Sequence, residues 1–293
     1  MTGALPSVTR RSGQSPGTRS VDTLWLVNGQ PTGVDPADRG LAFGDGLFET
    51  MAVDDGEVRR LGLHLDRLEH GCRRLAIPAP ERATIERELN THCPREGRAV
   101  AKLIVTRGTG PRGYAPPEPP TPTRVLGISA WPDFPAARYR DGVAVRVCEL
   151  RLGENPALAG LKHLSRLEQV LAQIELKGHS VDQGLLLDTS GNVVGGTSSN
   201  LFTVFGAELV TPTLLRCGIK GVMRRAVLEA AEALGIRTAE RDVTLAQVLR
   251  ADELFMTNAL IGVWPVALLG AQRFAVGPVA KRLMAHLGYG HGA

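Results

Sequence analysis

Only five of the 34 cationic residues are lysines, at positions 102, 162, 177, 220 and 281, and one of them stands in a setting suited to covalent chemistry. Lys162 follows the Pro- and Gly-containing approach RLGENPALAG, is flanked by Leu161 and Leu164, and is expected to sit immediately before a helix. Leu164, Leu167, Leu171 and Ile174 recur at helical spacing and predict that helix's buried stripe over 164 to 177. Desolvation and the positive end of a helix both disfavour an ammonium, and a neutral amine is what Schiff-base chemistry requires. On spacing alone, a lysine that snorkels its charge to solvent is the simpler reading.

A second feature is an anion site. Gly218-Ile219-Lys220-Gly221 precedes a helix expected over 222 to 234, and a helix N-terminus with unpaired amides accepts phosphate or carboxylate. An ordinary helix entry fits the same residues. His64, His70 and His163 show no metal-ligand spacing, so core or surface histidine is the plainer reading for each.

The elements that must position these groups are legible in outline. LWLVNGQPTGV over 24 to 34 reads as a β-hairpin about an Asn-Gly turn, and a second hairpin joins 49 to 53 with 57 to 61 through Asp54-Asp55-Gly56. Leu65, Leu68, Cys72 and Leu75 then shift to helical spacing, a further helix is expected over about 80 to 92, and strands over 99 to 106 and 124 to 130. Between those strands GTGPRGYAPPEPPTPT must be a long irregular loop. The Pro-, Gly- and charge-rich segment 131 to 142 divides an N-terminal α+β domain (23 to 130) from a C-terminal domain (143 to 293), and residues 1 to 22 read as a disordered tail. The C-terminal domain opens with a strand over 143 to 149 and continues with short strands between 184 and 210.

Composition narrows the class of partner. The net charge of +4 comes from interspersed charges, so no block forms a nucleic-acid footprint. No run approaches the ~18 to 20 apolar residues of a membrane span, and the N-terminus lacks the apolar core of a secretory signal. Cys72, Cys93, Cys148 and Cys217 lie far apart without CxxC spacing, as expected for reduced thiols in a cytoplasmic protein.

Read in order, RGLAFGDGLFET (39 to 50), LHLDRLEHGCRRL (63 to 75), TRGTGPRGY (106 to 114), the Lys162 segment, SSNLF (198 to 202) and GIKGVMRR (218 to 225) resemble the 4-amino-4-deoxychorismate lyases. These belong to the fold-type IV pyridoxal-phosphate enzymes, and the likeness spans about 24 to 270. It implies a two-lobed α+β architecture, with a smaller N-terminal α+β lobe and a larger C-terminal mixed α/β, barrel-like lobe. The implied reaction converts aminodeoxychorismate to 4-aminobenzoate and pyruvate, a step of folate biosynthesis, in a homodimer whose only other partner is a small-molecule substrate. Lys162 would carry pyridoxal 5′-phosphate and serve as base. Arg67 would contact the cofactor phosphate, the amides of Ile219 and Lys220 would hold it, and Thr257 in FMTNAL would complete the cup. Arg107 and Arg112 offer guanidinium forks to the substrate's two carboxylates, and Tyr114 would close over its ring. A solvated loop whose glycines merely make turns is the alternative for that last group.

The resemblance has one conspicuous gap. Relatives commonly place a glutamate against the pyridine nitrogen five residues before the SNLF asparagine, and counting back from Asn200 gives Gly195. Asp188 is too far along the chain to be assigned that role, and Ser165 stands where relatives often have asparagine. A weakened electron sink is compatible with a lyase, whose product is aromatic, and less so with an aminotransferase for branched-chain or D-amino acids. A noncatalytic cofactor binder is the third reading.

Overall fold

The computed structural model describes residues 23 to 289, so the expected N-terminal tail lies outside the described residues. The first lobe contains β1 (Leu24–Val27), α1 (Arg39–Phe43), β2 (Gly46–Asp54), β3 (Glu57–Val58), α2 (Leu61–Leu75), α3 (Arg82–His92), β4 (Arg98–Thr106) and β5 (Thr123–Ala130). Its five strands form one antiparallel sheet in the order β1-β5-β4-β2-β3. Asp55 and Gly56, both at positive φ, make the β2–β3 turn as expected. The hairpin expected at 24 to 34 forms only at its turn. Asn28 and Gly29 take positive φ and Val27 exchanges both backbone bonds with Gln30, but no return strand follows, and β1 pairs along its length with β5 instead.

Helices α2 and α3 cover one face of this sheet. Leu65, Leu68 and Cys72 of α2 pack with Ile85 and Leu89 of α3 on Leu47, Met51, Ala101 and Leu103. Each leucine buried in this way stabilises the lobe by about 1.5 to 3 kcal/mol.

A short helix, α4 (Ala137–Arg140), lies in the 131 to 142 segment, after which the second lobe begins with β6 (Val143–Leu152). It continues through α5 (Leu167–Glu175), β7 (Gln183–Asp188), β8 (Val193–Gly196), β9 (Asn200–Phe205), β10 (Glu208–Thr211), α6 (Val222–Ala233) and β11 (Arg237–Glu240). It closes with α7 (Leu245–Val248), β12 (Glu253–Asn258), β13 (Gly262–Leu269), β14 (Gln272–Arg273) and α8 (Pro278–Leu287). The sheet runs β11-β10-β9-β12-β13-β6-β7-β8, with β14 on β13, and mixes parallel pairs (β10–β11, β13–β6, β6–β7) with antiparallel ones. Although β8 ends this ladder, residues 197 to 199 turn it directly into β9, deep in the same sheet, with Gly196 N donating to Ser199 O at 2.8 Å. The sheet therefore curls on itself, and its concave side faces the first lobe's β2 edge.

Helix α5 departs from its sequence pattern in two ways. It starts at Leu167, five residues after Lys162, and its apolar stripe points outward: Leu167 is 70% exposed and Ile174 51%, while Ala172 is the residue buried against the sheet. Periodicity reported an amphipathic helix without reporting which face the chain itself covers.

Candidate active site

The first three residues of β2 bring the lobes together. Phe48 N donates to Lys162 O at 3.0 Å and Leu164 N to Gly46 O at 3.0 Å, so the Lys162 segment is pinned to the first lobe as an extra edge. Its ammonium nitrogen lies 4.1 Å from the centroid of the Phe48 ring. Because α5 begins later, its dipole does not act on Lys162 as the sequence suggested. Burial instead pushes the amine down to about 7, the positive charge of Arg67 reinforces this, and the carboxylate of Glu49 opposes it.

Glu49 is a buried residue of the network behind the cavity wall that motif reading passed over. Alternation along β2 places it on the inward face with Leu47 and Met51, where a carboxylate needs partners. It accepts from His64 Nδ1 at 2.6 Å and from Arg67 Nε at 2.8 Å, and Arg67 Nη2 makes a second, still closer bond. Burial alone would raise its pKa, but the Arg67 charge and these donors hold it at about 2. His64 is driven the other way, below its ordinary value, by burial against the Glu49 bond. The network fixes Arg67 with Nη1 donating to Lys220 O at 3.2 Å, and leaves part of its guanidinium on the cavity wall.

Facing Arg67, the 218 to 221 turn is tied from both sides. Gly160 N donates to Gly218 O at 3.0 Å, Asn200 Nδ2 donates to Ile219 O at 2.8 Å, and Gly221 N donates to Asn200 Oδ1 at 3.1 Å. The Lys220 amide donates to Gly160 O at 3.1 Å and Lys220 does not line the cavity, which corrects the expectation that this amide faces a phosphate. Ile219, together with Val222 and Met223 at the start of α6, supplies the available amides. Thr257 does line the site, but its hydroxyl donates to Gly262 O at 2.6 Å and so contributes shape rather than a free proton.

The three expected substrate residues stand elsewhere. Arg107 is consumed by the Asp45 carboxylate (Nε to Oδ2, 2.8 Å) and by the carbonyls of Ala76 and Leu75, both at 2.8 Å. Arg112 is exposed, and Tyr114, 84% exposed, packs on Phe43 at the loop's outer face. None of the three lines the cavity of its own chain. Two arginines that the sequence did not single out do line it. Arg138, on α4, pairs with Asp182 at 2.9 Å and lies against the Trp264 ring, and Arg166 donates to His163 Nε2 just before α5. Arg166 has no carboxylate partner, and burial draws its basicity down.

These walls enclose about 600 Å³, the size of a small-molecule site. A groove of about 650 Å³ on the outer side of Arg67 is lined by Lys220, His70 and Arg74 and does not include Lys162. Among the described residues six buried side-chain polar atoms lack a partner, and four of them, Arg166 Nε, Gln169 Oε1, Ser199 Oγ and Trp264 Nε1, belong to residues lining the Lys162 cavity. Unpaired polar atoms gathered about one lysine are the mark of a site shaped for a polar ligand. Lys162, Arg67 and the α6 amides suit an aldehyde that carries a phosphate.

Gly195 lines the cavity from β8 and brings no carboxylate to it. Asp188 does not substitute, because it is buried in another place, accepting from Arg216 Nη2 at 2.9 Å and from Asn192 N at 2.7 Å. Ser165 packs against Gly44 rather than into the site. Among the described residues no His, Cys, Asp and Glu side chains assemble a metal site.

Residues 46 to 269, covering both lobes and every element of the cavity, match the family described as amino-transferase class IV. The chain belongs to that family. Within it, an aminodeoxychorismate lyase from Vibrio harveyi is 36% identical over 90% of this chain and 99% of its own length. The crystal structure of 4-amino-4-deoxychorismate lyase from Pseudomonas aeruginosa superposes with a TM-score of 0.87 at 49% identity, covering 90% of this chain and 98% of that one. A class IV relative with a different activity, the D-alanine aminotransferase of Bacillus licheniformis, is 27% identical over 89% of this chain and 93% of its own length. The mixed, curled sheet and two-lobed arrangement are those of fold-type IV structures.

Proposed function

We propose that this chain is a 4-amino-4-deoxychorismate lyase that releases 4-aminobenzoate and pyruvate, using pyridoxal 5′-phosphate attached at Lys162. The observation that carries the reading is a buried lysine held to about 7, inside a cavity with a phosphate cup at one end, in a chain 36% and 49% identical to two lyases. When bound, the cofactor supplies an electron sink for the carbon that bears the substrate's amine. Arg67, the Ile219 amide and the α6 N-terminus hold its phosphate, and Glu49 and His64 keep Arg67 aimed. Phe48 packs beside Lys162 and keeps water from its amine, so that Lys162 Nζ takes the proton from C4 of the substrate at neutral pH. Loss of that proton and of the enolpyruvyl oxygen substituent at C3 leaves an aromatic ring, and substrate and the two products balance without an added reactant.

Arg138, paired with Asp182 at 2.9 Å and lining the cavity from α4, is the cation of this chain placed for a substrate carboxylate. The exposed Arg112 and Tyr114, with the outward apolar face of α5, suit a surface shared with a second copy, and a homodimer working in the cytoplasm is part of the proposal. The test is to incubate cofactor-loaded protein with freshly generated aminodeoxychorismate, in the absence of any 2-oxo acid, and to follow both products. Equimolar 4-aminobenzoate and pyruvate are expected. Neither product from protein that carries its cofactor would overturn the lyase reading in favour of the aminotransferase.

A further inference from the structure

The cavity's charge balance is lopsided. Arg67, Arg138, Arg166 and Lys162 line it, whereas the only carboxylate among its described lining residues is Asp182, already paired with Arg138 at 2.9 Å. Glu49 lies behind Arg67 and is saturated by it and by His64. Where a carboxylate would have to rise from β8, the backbone has closed in. A Cβ at Gly195 would stand 2.8 Å from Ser199 O, and that carbonyl is itself fixed by Gly196 N at 2.8 Å. The glycine is thus built into the turn, and a side chain there would have to displace backbone.

The wall beside Gly195 is completed by α5. Helix α5 packs on β6 and β7, Ala172 shares an apolar cluster with Val194, and Gln173 Nε2 donates to Thr197 Oγ1 at 2.7 Å just past the end of β8, so α5 borders the wall that Gly195 lines. Arg166 and Gln169 both line the cavity from this side, each with a buried polar atom that has no partner. A protonated pyridine nitrogen needs an anion beside it and is disfavoured by a neighbouring guanidinium. An unprotonated one is an acceptor; the unpartnered atom of Arg166, Nε, is an N–H donor, whereas that of Gln169, Oε1, is an acceptor, so the donor is assigned to Arg166.

We propose that Gly195, Arg166 and Gln169 form a carboxylate-free wall that keeps the ring nitrogen of the bound cofactor unprotonated, accepting a hydrogen bond from Arg166 at the entry to α5. The inference rests on the cofactor reading above and sharpens it. A neutral ring is a weaker electron sink, so this site suits an elimination drawn forward by an aromatic product and is poorly suited to moving amino groups.

The experiment uses the full chain loaded with pyridoxal phosphate labelled with nitrogen-15 in the ring, its covalent attachment verified by absorbance. The nitrogen-15 resonance at neutral pH is expected at the position of a neutral pyridine. A resonance at the pyridinium position in the wild-type protein overturns the proposal, whatever any variant does. Gly195→Glu is expected to move the signal toward pyridinium and Gly195→Gln to leave it in place; a Glu variant that folds, loads and leaves the signal unmoved would also count against a wall that acts by lacking a carboxylate. Failure of the wild-type chain to attach the cofactor would instead strike the reading on which the inference rests, so the two failures are distinguishable.

Discussion

Replacing Lys162 by methionine should stabilise the cofactor-free protein, and by an amount that depends on pH. In the folded chain the amine is drawn from 10.5 to about 7, chiefly by burial. At about 1.4 kcal/mol per pH unit this corresponds to a folding penalty that reaches about 5 kcal/mol at low pH. The unfolded chain binds the proton below pH 10.5 and the folded chain only below about 7, so wild-type stability rises with pH between those values and this contribution is flat beneath them. The penalty is about 4 kcal/mol at pH 7 and about 1.4 kcal/mol at pH 9.5. Methionine has similar length and no proton to bind, and escapes the penalty at both. Urea unfolding of cofactor-free wild type and Lys162→Met at these two pH values should show a gain for the variant that is larger at pH 7 by about 3 kcal/mol. A gain that does not change with pH, or a loss of stability at pH 7, would refute the argument that desolvation holds this amine neutral.

Glu49→Gln should destabilise the fold by about 3 to 5 kcal/mol, because Arg67 and His64 lose the buried anion between them, and cofactor titration should show weaker binding as Arg67 loses its aim. Asn200→Ala removes both ties to the 218 to 221 turn and should weaken cofactor binding by about 1 to 3 kcal/mol, read by the same titration, with the unfolding midpoint as control. Arg138→Leu should raise the KM for the dicarboxylate substrate while cofactor affinity stays unchanged, since Arg138 lies at the α4 wall, away from the phosphate cup. Leu171→Glu, on the outward face of α5, should convert a dimer to monomer in sedimentation experiments without altering the far-ultraviolet circular dichroism.

Local pattern carried much of the fold because the relevant forces are local. Leu65, Leu68 and Cys72 mark the covered face of α2, Asp55 and Gly56 accept the positive φ of their turn, and the strands at 98 to 106 and 123 to 130 lie where apolar β-formers cluster. The errors fall where the answer depends on a distant partner. The chain folds back at Asn28-Gly29 for a single bridge, while β5, distant in sequence, offers β1 a full ladder. Leu167, Leu171 and Ile174 have helical spacing whether the covering surface belongs to this chain or to another. At the site, Lys162 and Arg67 were legible through motif order, and so was the absence of a carboxylate at 195. Engagement of the Lys220 amide by Gly160 was not, because backbone donors are assigned only once strands are paired. Nor were Arg138 and Arg166, which enter the cavity through the path of α4 and the approach to α5. Glu49 could have been found: an acidic residue on the inward face of an otherwise apolar strand always asks for a counter-charge.

The backbone seam between Lys162 and β2 would also set the timing of cofactor capture in the proposed enzyme. On a nascent or half-folded chain Lys162 is an ordinary ammonium, protonated at neutral pH and slow to attack an aldehyde. It becomes a competent amine only after Phe48 and Gly46 of one lobe have bonded to the segment carrying it in the other, and after Arg67 has swung in beside it. In the enzyme proposed above, attachment of the cofactor at Lys162 would therefore report that the two halves have already docked.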